Sequence, residues 1–162
     1  MTLTTPKQIP RSVSFAGLRP ASETASRAKR ANRKKDTAHE VLLRKALWRL
    51  GLRYRKHSAG LPGNPDVVFT GSRVVLFCDG DFWHGRHWRR LKKQLQRRHN
   101  AAYWVAKITR NMQRDREQKT KLERQGWTVI RLWETDVKRD PVATAQRVRE
   151  VVDQMRPSPK RD

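Results

Sequence analysis

The sequence predicts a single α/β domain, a mixed β-sheet flanked by helices. Two apolar, β-branched runs, VVF and RVVLF, flank Gly71-Ser72 and read as an antiparallel hairpin. A third run, WTVIRLW, lies between two helical patterns and reads as a buried strand. The 162 residues are enough for one domain with a real core and too few for two comfortable ones.

Taken in order, residues 1–26 mix Pro, Ser, Thr and Ala without periodicity and are expected to be a disordered, basic arm. The domain is expected to span 27–155, with 156–162 a polar tail. RAKRANRKK, residues 27–35, is a solvated charge run or a phosphate-gripping segment, and Arg30, Lys34 and Lys35 are its candidate contacts. Thr37 with Glu40 forms a T-x-x-E capping box opening the first helix, whose apolar stripe is Leu43, Ala46, Leu47 and Leu50, with Gly51 ending it. Leu52 to Lys56 is a candidate short strand, and LPGNP delivers the chain to the hairpin. Beyond it, GRHWRRLKKQLQRRHN is a basic loop or exposed helix, and a long helix runs from Ala101 to Gln125. Residues 141–154 form an amphipathic last helix, and the order is α-β-β-β-α-β-α.

Charge narrows the function classes. With 38 Lys+Arg against 15 Asp+Glu the formal charge is +23, so a polyanionic partner is implied, nucleic acid first. A ribosome-like binder or a coding bias toward Arg would give the same balance. A single cysteine excludes an internal disulfide and a cysteine-rich zinc site. No apolar run approaches the ~18–20 residues of a transmembrane helix. The N-terminus has no secretory h-region, although its basic, acid-poor composition superficially resembles a transit peptide.

With Gly71-Ser72 as the loop, Thr70 pairs with Arg73 and Asp66 falls opposite the Phe77-Cys78-Asp79 end. Two carboxylates and a strand-end carbonyl therefore gather at one corner, with His84 beyond. Such oxygen ligands beside an imidazole suit Mg²⁺ and water activation. Asp66 is a metal ligand or a turn residue, and Asp79 is a second ligand or a cap on the turn at Gly80. His84 is the candidate general base. Phe82 and Trp83, adjacent and flanked by charge, either fold onto the core or wedge into a base stack. Lys107 and Asn111 share a helix face with Asp115.

GNPDVVF, DGDFWHG, AYWVAKITRNMQRDRE and GWTVIRLWE together resemble the very-short-patch-repair (Vsr) endonuclease family over roughly residues 27–140. The resemblance implies a restriction-endonuclease-like (PD-(D/E)XK) fold and Mg²⁺-dependent nicking of DNA beside T:G mismatches left by deaminated 5-methylcytosine. It implies that Asp66 and the Cys78 carbonyl hold the metal, and that Asp115 and Glu40 are active-site acids ordering water. For Glu40 that competes with the capping role, because a carboxylate does not easily do both. It also places Lys107 and Asn111 near DNA. It further implies double-stranded mismatched DNA as partner, a functional link to a cytosine-C5 methyltransferase, and a monomer on the nucleoid in a bacterial cytoplasm.

One departure stands out. Family members commonly carry a structural zinc on Cys and His, but the matching positions here are Asp81, Arg86, Trp88 and Thr135. No structural zinc is expected, with packing around Trp88 in its place. Two other readings stay open: a Vsr-like nuclease of host defence or homing type that cuts paired DNA, and a non-catalytic nucleic-acid-binding protein.

Overall fold

The structure, a computed structural model, describes Gly17 and residues 36–157. The expected N-terminal arm with Arg30, Lys34 and Lys35, and residues 158–162 of the tail, lie outside the described residues. In chain order the elements are α1 (Ala38–Arg49), β1 (Arg55–Lys56), β2 (Val67–Phe69), β3 (Val74–Asp79), α2 (Trp88–Leu95), α3 (Ala101–Arg124), β4 (Thr128–Trp133), α4 (Glu134–Arg139) and α5 (Pro141–Gln154).

The strands form one mixed sheet in the order β1-β2-β3-β4. The hairpin has the expected register: Phe69 pairs with Val74 and Val67 with Leu76, and the Arg73 N–H closes the turn on the Thr70 carbonyl at 3.3 Å. β3 and β4 run parallel, Val74 beside Thr128 and Asp79 beside Trp133. A parallel neighbour needs a long crossover, and α2 and α3 supply it.

Strand alternation then builds two cores. Val67, Phe69, Val74 and Leu76 face α1 and α5, packing with Leu43, Leu47, Val137 and Val148. Val68, Val75 and Phe77 face the other way, against Leu122 of α3. Leu43, Leu47, Leu76 and Leu122 are wholly buried, and each such side chain contributes roughly 1.5–3 kcal/mol. Three layers result, helices on both faces of a sheet.

Two expectations change, one open alternative resolves to a helix, and one element is new. The strand proposed for Leu52 to Lys56 shrinks to two exposed residues at the sheet edge. β4, expected to be buried, is half-buried along its whole length. The basic stretch after His84 is a helix, α2, that buries only Leu95. α4 was not anticipated. Its sequence, ETDVKR, offers one apolar residue, Val137, and that residue is fully buried. α5 then starts on Asp140, whose carboxylate accepts the Ala143 N–H at 2.8 Å, with Pro141 in the first turn.

Candidate active site

The C-terminal end of β3 collects the candidate residues. Asp66, just ahead of β2, reaches across the ladder: its Oδ2 accepts the Cys78 N–H at 2.7 Å. Burial, with Glu40 and Asp79 adding negative potential, raises its carboxyl to about 6 in spite of the Cys78 hydrogen bond and His57. Among the described residues Asp66 makes no ion pair. The Cys78 side chain packs toward the α1/α5 core, and burial first, then Asp66, Glu40 and Asp79, push its thiol well up. Its carbonyl accepts the Nε2–H of His39 at 3.3 Å. A desolvated carboxylate without a cation, beside a carbonyl at a strand end, is a donor set suited to a hard divalent ion.

His84 and Asp115 meet. Nδ1–H of His84 donates to Asp115 Oδ2 at 2.6 Å, which leaves Nε2 as the acceptor nitrogen. Burial pushes the Asp115 carboxyl up, but the His84 hydrogen bond and the charges of His84, Arg131 and Arg114 outweigh it. Asp115 therefore ionises below the usual carboxylate range. Gly85 lets the loop lie this close to α3: its φ is +70°, and a Cβ there would stand 2.5 Å from Met112 Sδ. That is the physical content of the glycine in FWHG.

Asp79 is placed differently from the metal-ligand expectation. Both its oxygens are taken by the Arg131 guanidinium, at 2.5 and 2.7 Å, in a side-by-side ion pair, with His84 Nδ1 at 3.6 Å. Arg131 also reaches Asp115 at 3.2 Å and lies over the Phe77 ring. Sequence reasoning missed Arg131. The available signal was a lone charge in the middle of an otherwise apolar strand, which demands a buried partner.

Glu40 bonds to the start of α1 without closing the expected capping box, because the Thr37 side chain caps no backbone N–H. It is 4 % exposed; Oε1 accepts the Thr37 hydroxyl at 2.8 Å, Oε2 accepts the Asp36 N–H at 2.9 Å, and Arg44 stands 3.5 Å away. It acts on Asp66 through its charge. His39, the other missed residue, sits one position before it and touches the Cys78 carbonyl; nothing in its sequence neighbourhood marks it.

Phe82 and Trp83 are half-buried and pack edge-on against each other, centroids 5.1 Å apart, with Trp104 under both at 5.6 and 6.0 Å. Trp104 belongs to this aromatic cluster. Trp127 and Trp133 are half-buried beneath Arg73 and Arg86. Asn111, expected near DNA, is buried and donates to the Trp83 carbonyl at 2.9 Å, so it holds the loop rather than offering its amide outward. Lys107 lies half-buried on the same helix, one turn before Asn111.

Asp66 itself yields a stability prediction. Its folded-state value near 6 against 3.8 means the native protein keeps a proton that the unfolded chain has lost. The associated stabilisation is complete below about pH 4 and disappears as pH rises through 6. Asp66→Asn should therefore stabilise the metal-free protein at pH 7.5 by on the order of 2–3 kcal/mol, with the gap closing below pH 6, while nicking is lost. Thermal melts in EDTA at pH 7.5 and 4.5 check this; equal destabilisation at both would contradict it.

The chain resembles known proteins over most of its length. Residues 21–90, which include Glu40, Asp66, Cys78 and His84, match the family model described as DNA mismatch endonuclease Vsr. Type II nicking enzyme V.NmeDIP of Neisseria meningitidis serogroup C is 41% identical over 130 residues, 80% of this chain and 86% of that protein. Type II nicking enzyme V.HpaIIP of Haemophilus parainfluenzae is 40% identical over 113 residues, 70% of this chain and 79% of that protein. DNA mismatch endonuclease Vsr of Escherichia coli strain K12 is 39% identical over 111 residues, 68% of this chain and 69% of that protein. With the fold, the His84–Asp115 pair and this likeness in agreement, the chain belongs to the Vsr family of DNA endonucleases and has its restriction-endonuclease-like fold.

Proposed function

We propose that this endonuclease is Mg²⁺-dependent and cuts one strand of duplex DNA beside a T:G mismatch, the lesion left by deamination of 5-methylcytosine. The observation that carries the reading is the hydrogen-bonded His84–Asp115 pair standing at the same strand end as Asp66 and the Cys78 carbonyl. Asp66 and the Cys78 carbonyl would hold the ion, which supplies Lewis-acid charge neutralisation at the scissile phosphate. His84 Nε2 takes the proton from the attacking water as that water's oxygen bonds to phosphorus and one P–O ester bond breaks. Asp115 keeps the imidazole in the tautomer that exposes Nε2 and stabilises the imidazolium that forms.

Phe82 and Trp83, backed by Trp104, supply a stacking platform beside the site. A wobble pair is cheaper to unstack than a Watson–Crick pair, so such a platform discriminates by deformability. Lys107 and the basic segment with Arg30, Lys34 and Lys35 grip phosphates. The protein would act as a monomer in a bacterial cytoplasm, on sites created by a cytosine-C5 methyltransferase. Among the described residues no helix is long and apolar enough to cross a membrane. The relatives' names support single-strand cutting; the mismatch enters only through the family model and the Escherichia coli relative.

Labelled duplexes carrying T:G, U:G or full pairing test the proposal. Nicking of the T:G duplex with Mg²⁺, none in EDTA, and recovery on adding Mg²⁺ back are expected. Paired duplex cut as fast as T:G would replace the mismatch reading with a nuclease of host-defence or homing type. Cleavage that persists in EDTA would remove the metal from the account.

A further inference from the structure

The loop between β3 and α2, residues 80–87, carries the aromatic pair and His84, and two sets of contacts hold it. On the α3 side these are the Asn111 and Asp115 bonds already described. On the opposite side four polar side chains join the loop to the start of α4. Asp81 Oδ2 accepts the Thr135 hydroxyl, and its Oδ1 takes the Thr135 N–H and Arg86 Nη1, each at 3.5 Å. Arg86 Nη2 donates to Asp136 Oδ1 at 2.9 Å, and Arg139 reaches the same oxygen. The Arg86 N–H to Asp81 carbonyl bond, 2.9 Å, closes the loop from within.

Three of these residues, Asp81, Arg86 and Thr135, stand where the family resemblance calls for zinc ligands, and the residues present do not fit that ion. A structural zinc takes four thiolate, imidazole or carboxylate donors. Arg86 has no lone pair to give and brings a permanent positive charge to within 3.5 Å of the one remaining carboxylate. The Thr135 hydroxyl is spent as a donor to Asp81, and the Trp88 indole nitrogen can only donate. Among the described residues, the side chains that bring three His, Asp or Glu ligand atoms within 4.8 Å of one another are Asp36, Glu40 and His57, with Arg44 bonded into them; Asp81 is not in that group.

We propose that Asp81, Arg86, Thr135 and Asp136 form a metal-free clamp that fixes the 80–87 loop to the N-terminus of α4, with Arg86 as the positioning residue for His84. Arg86 lies two residues beyond His84 on the same short loop. Without its hydrogen bonds to Asp81 and Asp136, the loop keeps only the Asp81–Thr135 contact on the α4 side, and the imidazole's distance to the water it deprotonates is less tightly set. The inference rests on His84 as the base, not on which mismatch is cut.

Metal analysis, amide hydrogen exchange and nicking kinetics on the full chain test it together, with Arg86→Met, Arg86→Lys and Thr135→Val. The purified protein should hold no stoichiometric zinc. Arg86→Met should speed exchange in residues 80–87 while α5 exchanges as before, and should lower kcat about ten- to hundred-fold with KM little changed. Arg86→Lys, which keeps the charge but cannot span both carboxylates, should recover part of this. Thr135→Val, a one-hydroxyl change at an exposed position, should fall between wild type and Arg86→Met, and it decides the question if Arg86→Met does not fold. One equivalent of retained zinc, or loop exchange at the wild-type rate in Thr135→Val and Arg86→Met, would overturn the clamp. Exchange and metal content are read without DNA, so they remain decisive even if T:G duplex is not the substrate.

Discussion

His84→Ala should lower nicking by about 10²–10⁴-fold, the usual contribution of a positioned general base, while duplex affinity and melting temperature stay close to wild type. The side chain is partly exposed and its polar contacts are confined to Asp115 and Asp79 among the described residues, so its loss removes chemistry more than packing. Asp115→Asn is the sharper companion. An amide at that position can present its NH₂ to Nδ1, which moves the imidazole proton to Nε2 and blocks proton abstraction without altering shape. A loss of similar size is expected. Single-turnover nicking on a preferred duplex separates this from binding; His84→Ala cutting at the wild-type rate would end the assignment of the base.

Arg131→Met is expected to have the largest effect on stability, about 3–5 kcal/mol, because it strands carboxylates that the fold has already desolvated. Asp79 is 3 % exposed and Asp115 8 %, and the guanidinium lies between them, paired to an oxygen of each. Methionine fills most of the volume and none of the charge. Adding Asp79→Asn to Arg131→Met should restore a large part of the loss, since one of the two orphaned charges is then gone. Activity should fall with stability, because an unpaired Asp79 carboxylate 3.6 Å from Nδ1 competes with Asp115 for the imidazole proton. Urea midpoints of the single and double variants measure this; an Arg131→Met protein within about 0.5 kcal/mol of wild type would show that the network carries no stability.

The hairpin is legible because two continuous apolar runs flank a two-residue turn, and the turn fixes the register that puts Asp66 against Cys78. Resemblance supplied Asp115, which local sequence cannot separate from the solvated charges of RDRE; only the helix docking on the sheet turns it toward His84. Arg131 and Asp79 escape sequence reasoning for one reason. Only Asp79 has a reading from the sequence, as a second ligand or a turn cap, and the meaning of both residues lies in pairing across parallel strands far apart in the chain. For Glu40 the sequence poses a conflict between capping and catalysis, and its hydrogen bonds run to the Thr37 hydroxyl and the Asp36 N–H without closing the capping box. α4 escaped notice because a six-residue helix with one apolar position has no periodicity to detect.

The parallel seam between β3 and β4 has a consequence for how the enzyme comes into being. The hairpin is local and can form early, yet Asp115 and Arg131 at the same corner arrive from segments translated later, on α3 and on β4. A growing chain therefore holds a half-built centre, with Asp66 and His84 present and nothing to orient the imidazole. On the proposed roles, DNA cutting is expected only after that last docking event, so unfinished or truncated copies should leave the chromosome intact.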